Sequence, residues 1–327
     1  MSYIHLTILE REKIYLLTSQ NVSLRKIAAT IGRNVSTISR ELKRNHKDYS
    51  PSKAQGAYKK RRKKSRPHKK LENPFLFITV VCLFLGKHWS PEQIAGRLKL
   101  ENYPISISYR TIYRAIYAGM FDTPAQKRST GNRGARRKLR HKGKPRRKKN
   151  KVETRGKLRI SHHLSERPKE ANERTRLGDF EADTVAGKLN QECLLTLTDR
   201  KSRYLICRKL KSRTSAQVNA ELIEVLKDKQ LESITPDRGK EFAGHAKITA
   251  ALGVEFYFPE PHHPWDRGTN ENTNGLLREY YPKGYDLGKV TQEELQEVVA
   301  DLNTRPRKKL GYRTPAEVWL SKTLHLV

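Results

Sequence analysis

The chain has 327 residues and a formal net charge of +34 at pH 7. This length allows two or three domains, and so strong a positive field excludes an ordinary enzyme of small molecules. It favours a polyanionic partner, because each phosphate that Lys or Arg neutralises releases condensed counterions.

An anionic membrane is the alternative partner, but the longest apolar run, Phe75 to Leu85, is about half the length that a membrane span needs. We interpret this run as a buried helix. The N-terminus has no charged segment that leads into an apolar stretch, so secretion is not expected. Cys82, Cys193 and Cys207 lie in apolar runs without paired spacing, so we expect reduced core residues and neither a disulfide nor a zinc site.

Residues 1–57 are predicted to form a helical DNA-binding domain. Gly32 supplies a turn between two helical segments, and Ala28 lets the helices approach closely, which is typical of a helix-turn-helix unit. An ordinary helical hairpin is the alternative, but the small residue, the glycine and the basic outer face favour DNA binding. The second helix would present to DNA the side chains of Ser36, Thr37, Arg40, Lys43 and Arg44, the last two for phosphates.

Residues 58–70 form a basic run that we interpret as a linker, and residues 71–125 are predicted to form a second helical domain. Ser90 is suited to cap a helix there, with Pro91 at its first position and Gln93 closing a capping box. A further helix would carry Arg110 and Arg114 as candidate DNA contacts. Its helix-turn-helix pattern is weaker, because the loop is longer, and a purely structural helical domain is the alternative.

Residues 126–165 are predicted to be a basic, flexible linker. Between 126 and 160 Lys and Arg dominate, with Glu153 as the single acid. Such a segment cannot bury a core and repels itself when free. We expect it to lie along phosphate backbones without selecting sequence, because phosphate contacts carry no base information.

Residues 166–327 are predicted to form a mixed α/β domain, because acids return and strand patterns alternate with helical ones. The order is three strands, helix, strand, helix, strand, and then two helices. The predicted strands cover residues 177–187, 192–198, 203–210, 233–239 and 254–258. The predicted helices cover residues 215–229 and 241–252, a segment from about 269 to a stop at Pro282, and residues 291–303.

Three acids of this domain stand where strands end or helices begin. They are Asp183 on the first strand, Asp237 at the end of the fourth strand, and Glu271 in the first turn of the following helix. Alone, Glu271 is an ordinary residue for a helix start, where the dipole favours negative charge. Three clustered anions repel one another unless a divalent cation holds them, and Mg²⁺ takes oxygen ligands and bridges carboxylates to phosphates. Two such ions suit phosphodiester displacement.

Several stretches resemble the catalytic core of insertion sequence 30 family transposases. They are Asp237-Arg-Gly-Lys-Glu241, Arg267-Gly-Thr-Asn-Glu271-Asn-Thr-Asn-Gly-Leu-Leu-Arg278 and Pro282-Lys-Gly284. The 33 residues between Asp237 and Glu271 match that family's aspartate-aspartate-glutamate spacing. A basic residue seven positions after the glutamate, here Arg278, is also typical of the family.

The resemblance extends over nearly the whole chain. Leu302-Asn-Thr-Arg-Pro-Arg-Lys308 and Thr314-Pro-Ala-Glu-Val-Trp319 resemble a C-terminal motif shared with retroviral-type integrases. The sequence departs from the family before the first aspartate, where Phe180 and Ala182 replace the common Trp and Gly. On the same strand, the acids Asp179 and Glu181 are alternatives to Asp183 as the first ligand.

The resemblance implies a ribonuclease H-like domain that cuts and joins DNA. Asp183, Asp237 and Glu271 would bind two Mg²⁺, or Mn²⁺ in their place, and no covalent protein–DNA intermediate is expected. Arg278 would lie close to a phosphate, while His263 and Trp265, with His262, would either touch DNA near the cut or pack the loop. The partners would be terminal inverted repeats and target DNA, bound by a homodimer or larger homo-oligomer in the bacterial cytoplasm, at the nucleoid.

Two other functions remain open from the sequence. The N-terminal half alone is typical of a sequence-specific DNA-binding regulator without catalysis. A metal-dependent nuclease that cuts but does not join DNA would carry the same three acids.

Overall fold

The chain divides into two compact units, Met1–Glu72 and Asn73–Val327. The computed structural model describes residues 5–45, 49–65, 69–123, 134–139, 160–188, 192–260 and 267–327. Most of the predicted basic segment 126–165, and His262, His263 and Trp265, lie outside the described residues. No helix in the described part of the chain has the length and apolar character of a membrane span.

In the described residues of the first unit, four α-helices surround a small apolar core. They are α1 (Ile8–Ser19), α2 (Leu24–Ile31), α3 (Val35–Arg44) and α4 (Pro51–Lys64). Gly32 ends α2 in the left-handed conformation, with φ +68°, so the predicted turn between α2 and α3 is present. Ile14, Ile27, Ala28 and Ile38 are almost fully buried between the helices.

A buried ion pair joins the helices of the first unit. Arg11 on α1 donates through Nε to Glu41 on α3 over 2.7 Å, and the same guanidinium donates to Gln55 on α4. Helix α4 continues through Lys64 into the basic run that the sequence suggested was a linker. Lys and Arg are good helix formers, and Tyr58 lies against Arg11 with 5.0 Å between ring centroid and guanidinium carbon.

The second unit begins with α5 (Pro74–Val81), a π-helical turn at Cys82–Gly86, α6 (Pro91–Leu100) and α7 (Tyr109–Ala118). The predicted capping box of α6 is present. The apolar run, predicted to be a buried helix, is helical, but only one face is buried, since Phe75 and Ile78 are 78% and 59% exposed. Cys82 is likewise exposed, whereas Cys193 and Cys207 are buried as predicted, and all three are free thiols. A short apolar helix buries only the face that neighbours cover.

A mixed six-stranded sheet forms the centre of the second unit, in the order β1-β6-β5-β2-β3-β4. Strands β2, β3 and β4 pair antiparallel, and β1, β6, β5 and β2 pair parallel. The strands are β1 (His162–His163), β2 (Asp179–Ala186), β3 (Cys193–Asp199), β4 (Leu205–Leu210), β5 (Ser233–Thr235) and β6 (Glu255–Phe258). The two-residue edge strand β1 is absent from the sequence prediction.

Helices cover both faces of the sheet. The helices of this part are α8 (Lys169–Glu173), α9 (Ser215–Leu226), α10 (His245–Leu252), α11 (Gly268–Tyr280), α12 (Gln292–Asn303) and α13 (Pro315–Trp319). Side chains of α9 and α10 pack on the face that carries Phe180 and Ala182. Side chains of α11 and α12 pack on the face that carries Val185. Because strand residues alternate between faces, Asp179, Glu181 and Asp183 point towards α11.

A second buried ion pair connects α6 to α13. Arg97 is 1% exposed and donates to both carboxylate oxygens of Glu317, over 2.7 and 2.9 Å. Arg97 also pairs with Glu101, and Gly96 lies so close to the Tyr312 ring that a Cβ there would overlap it. The helical segment α5–α7 is therefore attached to the sheet within one unit.

Candidate active site

Two of the three predicted carboxylates come together where β2 and β5 pair. In the parallel register of these strands, Glu181 lies beside Thr235. Two residues beyond this pair, Asp183 continues β2 and Asp237 follows the end of β5, and the negative charge of Asp237 acts on Asp183. Asp237 is 8% exposed, and the side chain of Asp183 is 21% exposed. The sheet therefore places two acids near each other at the edge of a buried region.

Contacts from α11 hold Asp183. Asn274 donates to its Oδ2 over 3.0 Å, and a guanidinium nitrogen of Arg267 lies 3.8 Å from the same oxygen. The N–H of Thr184 donates to its Oδ1. On the neighbouring strand, Asp237 Oδ1 accepts from the N–H of Gly239 over 2.9 Å. One oxygen of each carboxylate is thus fixed by a backbone N–H.

The electrostatics of the pair are those of crowded negative charge. Burial raises the pKa of Asp183 to about 6; Arg267 opposes the rise, while Asp237 and Glu241 add to it. Burial also raises the pKa of Asp237, again opposed by Arg267 and assisted by Glu241. Carboxylates in this state gain from a cation placed between them.

The two alternative acids of β2 have other partners. Asp179 is fully buried, accepts from the Ser233 hydroxyl over 2.6 Å and pairs with Arg176. Glu181 is also fully buried, pairs with Arg200, and accepts from the N–H of Asn270 in the first turn of α11. Both are therefore fully buried and paired with arginines, whereas Asp183 is the one acid of β2 that is partly exposed.

Glu271 lies on the same side of α11 as residues that contact Asp183, but the structure does not bring it into a cluster with the other two acids. Its side chain is exposed. Arg267, Asn274 and Arg278 are spaced four, three and seven positions from it, so they share its face of the helix. Two of these neighbours reach Asp183, and Arg278 donates to the carbonyl of Ala186 at the end of β2, over 2.8 Å. Among the described residues, no group of three or more His, Cys, Asp or Glu is arranged to hold a metal ion.

The sequence prediction missed a fourth acid at this edge. Glu241 is 5% exposed, accepts from the Thr184 hydroxyl over 2.8 Å and pairs with Arg213. Glu241 lies four residues after Asp237 in the sequence, but its hydrogen bond with Thr184 on β2 forms only once the sheet has folded. The sequence spacing of Arg267 and Asn274, four residues before and three residues after Glu271, already indicated that both share a helix face with it.

The predicted DNA contacts of the first unit lie on an outward face of α3. Ser36, Arg40, Lys43 and Arg44 are exposed, and Thr37 is half-buried. Arg40 donates to the Ser36 hydroxyl over 3.3 Å. The same surface is therefore polar and basic, as a face that meets DNA needs to be.

The predicted contacts of the second helical segment lie on α7. Arg110 and Arg114 are both exposed there, and the guanidinium of Arg110 lies 5.9 Å from the ring centroid of Tyr109.

Burial lowers the pKa of Arg278, whose hydrogen bond to the Ala186 carbonyl on β2 anchors α11.

Two families match parts of the chain. The model of a helix-turn-helix domain matches residues 2–45, and that of an integrase core domain matches residues 177–264. The predicted fold class is confirmed: an N-terminal helix-turn-helix domain precedes a ribonuclease H-like integrase core with a mixed sheet.

Similar proteins cover nearly the whole chain. The transposase for insertion sequence element IS1086 of Cupriavidus metallidurans is 38% identical over 94% of this chain and 92% of its own. The transposase InsI for element IS30A of Escherichia coli K12 is 39% identical over 96% of this chain and 83% of its own. The transposase for element IS4351 of Bacteroides fragilis is 37% identical over 96% and 94%. Among solved structures, the catalytic core domain of BIV integrase is 18% identical over 44% of this chain and 93% of its own, with a TM-score of 0.35.

Proposed function

The chain belongs to the insertion sequence 30 family of transposases, and on this premise we propose that it cuts and joins DNA with Asp183, Asp237 and Glu271 as its catalytic carboxylates. The observation that carries the proposal is that Asp183 and Asp237 each lie two residues beyond the last pair of β2 and β5, Glu181 with Thr235, and that the charge of Asp237 acts on Asp183. Glu271 would complete the set, because its neighbours Arg267 and Asn274 on α11 already reach Asp183.

The residues fit divalent metal ions in charge and in donor type. Asp183 and Asp237 supply hard oxygen donors, and burial, together with neighbouring acids, raises their pKa values, so a cation would favour their charged forms. Glu271 is exposed, and it shares a face of α11 with Asn274, which donates to Asp183, so it would serve as the third donor. We propose Mg²⁺, with Mn²⁺ as a substitute and two ions per site. Bound there, the ions would activate the attacking oxygen and stabilise the leaving one.

The chain's own side chains position the reaction. Glu181 accepts from the first turn of α11 and so sets the place of Glu271. Arg267 balances the charge of Asp183 and Asp237 before DNA arrives. A water oxygen would attack the phosphorus at an element end, forming one P–O bond while the bond to the 3′-oxygen breaks. The freed 3′-hydroxyl would then lose its proton as it attacks a target phosphodiester and releases the target 3′-oxygen.

The first unit would recognise the terminal inverted repeats. Ser36, Thr37 and Arg40 on α3 would meet base edges in a major groove, and Lys43 and Arg44 would bind the flanking phosphates; the exposure of Ser36, Arg40, Lys43 and Arg44 supports this. We further propose that two or more copies act together, since an element has two ends. Light scattering of the chain with a repeat duplex tests this, and one copy per pair of ends would contradict it.

The experiment for catalysis uses substitutions that keep side-chain shape. Asp237→Asn and Glu271→Gln should abolish Mg²⁺-dependent cleavage and joining while binding to the repeats survives. Glu293→Gln is the matched control, because Glu293 is an exposed carboxylate on α12. Unchanged cleavage in both test variants would refute the assignment. A pre-cut 3′-end separates joining from cutting, so a chain that cuts but fails to join it would be a nuclease only.

A further inference from the structure

A cavity lined by basic and aromatic side chains lies beside α11, on a different side of this helix from Glu271. It has a volume of about 800 Å³ and is bounded by α7 on one wall and α11 on the other. The α11 wall includes Gly268, Asn272 and Leu276, which the helical spacing places on a different side from Glu271 and Asn274. A second depression of about 630 Å³ continues the first. We call the two together the arginine–tyrosine groove; they share Arg174, Arg203 and Lys309.

Some cations of the groove have acidic partners that do not line it: Arg305 pairs with Glu279, and Lys308 pairs with Glu92. No carboxylate lines either part among the described residues. Arg174 and Arg203 both donate to one hydroxyl, that of Thr269. Burial and then the charge of Arg174 lower the pKa of Arg203 to about 10. Two guanidinium groups that converge in this way repel each other, and an anion between them would relieve the repulsion.

Two arginines of the groove have a disfavoured backbone conformation. Arg174 and Arg203 adopt left-handed backbone conformations, with φ of +62° and +65°. Such angles are disfavoured for residues that carry a Cβ. Exposed Lys309 completes the basic rim. With Arg174, Arg203 and Lys309 along it, the groove is suited to bind several phosphates rather than one.

Tyrosines form the opposite wall. Tyr109, Tyr113 and Tyr117 follow one another at intervals of four along α7, so they stand on one face. The last two line the cavity, with ring centroids 6.4 Å apart and planes inclined by 22°. Tyr117 is 47% exposed, although Arg136 lies over its ring at 4.7 Å. Exposed aromatic rings beside cations are the usual means of holding unpaired bases.

We infer that the arginine–tyrosine groove binds a short stretch of single-stranded DNA, with phosphates at Arg174, Arg203 and Lys309 and bases against Tyr113 and Tyr117. A duplex does not suit the site, because its bases are already stacked on their neighbours and a cavity of about 800 Å³ has the size of a small-ligand site. The inference rests on the proposed function, which makes DNA the ligand. A strand in the groove would run beside the helix that carries Glu271.

Crosslinking of the full-length chain locates the strand. A ten-nucleotide thymidine oligomer carrying one 5-iodouracil is irradiated with the protein in EDTA, and the modified peptides are identified by mass spectrometry. Crosslinks at Tyr113 or Tyr117 are expected, and a duplex of equal length should give none there. Crosslinks confined to the first unit, or equal labelling of the tyrosines by the duplex, would overturn the inference.

Affinity measurements by fluorescence anisotropy give the second test. Tyr117→Leu should weaken binding of the single strand by about fivefold to a hundredfold, whereas Tyr117→Phe should stay within about twofold. Arg174→Gln should reduce the slope of log K against log salt by about 0.7. The matched control Lys247→Gln removes an exposed charge on α10, across the sheet, and should leave single-strand affinity and the slope unchanged.

These measurements separate the two proposals. Binding is followed in EDTA, so it does not depend on cleavage, and Asp237→Asn should bind the single strand as the parent does. Wild-type affinity in Tyr117→Leu, together with loss of cleavage in Asp237→Asn, would refute the groove and leave the proposed function standing.

Discussion

Acid should weaken the second unit through one buried carboxylate, that of Glu317. Burial raises the pKa of this group, but hydrogen bonds from Arg97 and from the N–H groups of Leu324 and Thr314 outweigh burial and lower the pKa from 4.5 to about 2. Because the folded-state pKa is depressed, the group stabilises the fold above pH 4.5 and loses this contribution as the pH falls towards 2. The difference corresponds to about 3 kcal/mol of unfolding free energy at pH 7.

Glu317→Gln isolates this contribution. The variant should be about 3 kcal/mol less stable at pH 7, because Arg97 loses its carboxylate partner in a buried site. By pH 3.5 the difference from the parent should have shrunk by about 1.4 kcal/mol, since the parent's unfolded state then binds a proton that its folded state does not. The matched control is Glu297→Gln, an exposed carboxylate on α12, which should stay within about 0.5 kcal/mol of the parent.

Denaturant unfolding followed by tryptophan fluorescence reports on the correct unit. All three tryptophans, Trp89, Trp265 and Trp319, belong to Asn73–Val327. Titrations with urea at pH 7, 5, 4 and 3.5 give the free energies. A difference between parent and Glu317→Gln that stays constant down to pH 3.5, or one below about 1 kcal/mol at pH 7, would refute the reasoning.

Three other predictions concern packing, the anchor of α11 and DNA. Gly96→Ala should cost about 1–3 kcal/mol in urea unfolding, because the new Cβ meets the Tyr312 ring; wild-type stability would show that α6 can move freely. Glu181→Gln should cost about 3 kcal/mol in the same assay, because Arg200 loses its buried partner; a loss of activity with unchanged stability would instead indicate a direct catalytic role. Lys43→Gln should weaken binding to all duplexes alike and reduce the salt slope by about 0.9; a sequence-dependent loss would contradict a phosphate contact.

Local patterns predicted most of the elements correctly. The β2–β4 strands, α9 and α12 carry regular periodicities of two or about 3.6, and the structure places each within a few residues of the predicted bounds. The turn at Gly32, between α2 and α3, was also predicted correctly, because glycine adopts φ +68° without the strain that a Cβ causes.

Features that depend on distant pairing were not predictable. Strand β1 is two residues long and exists only because it pairs with β6. Arg97 and Glu317 are 220 positions apart, and nothing in either neighbourhood indicates the other. The three acids of β2 are a further case, since Asp179, Glu181 and Asp183 share one face of the strand. The fold distinguishes them by their partners, because Ser233 donates to Asp179 and Asn274 donates to Asp183.

The most direct test of the central claim locates the metal. Fe²⁺ replaces Mg²⁺ in the chain bound to a repeat duplex, and ascorbate with peroxide then generates hydroxyl radicals that cut the polypeptide near the ion. Cuts near Asp183, Asp237 and Glu271 are predicted, and they should disappear in Asp237→Asn. Cuts near only one of the three acids, or a pattern that Asp237→Asn leaves unchanged, would contradict a shared site.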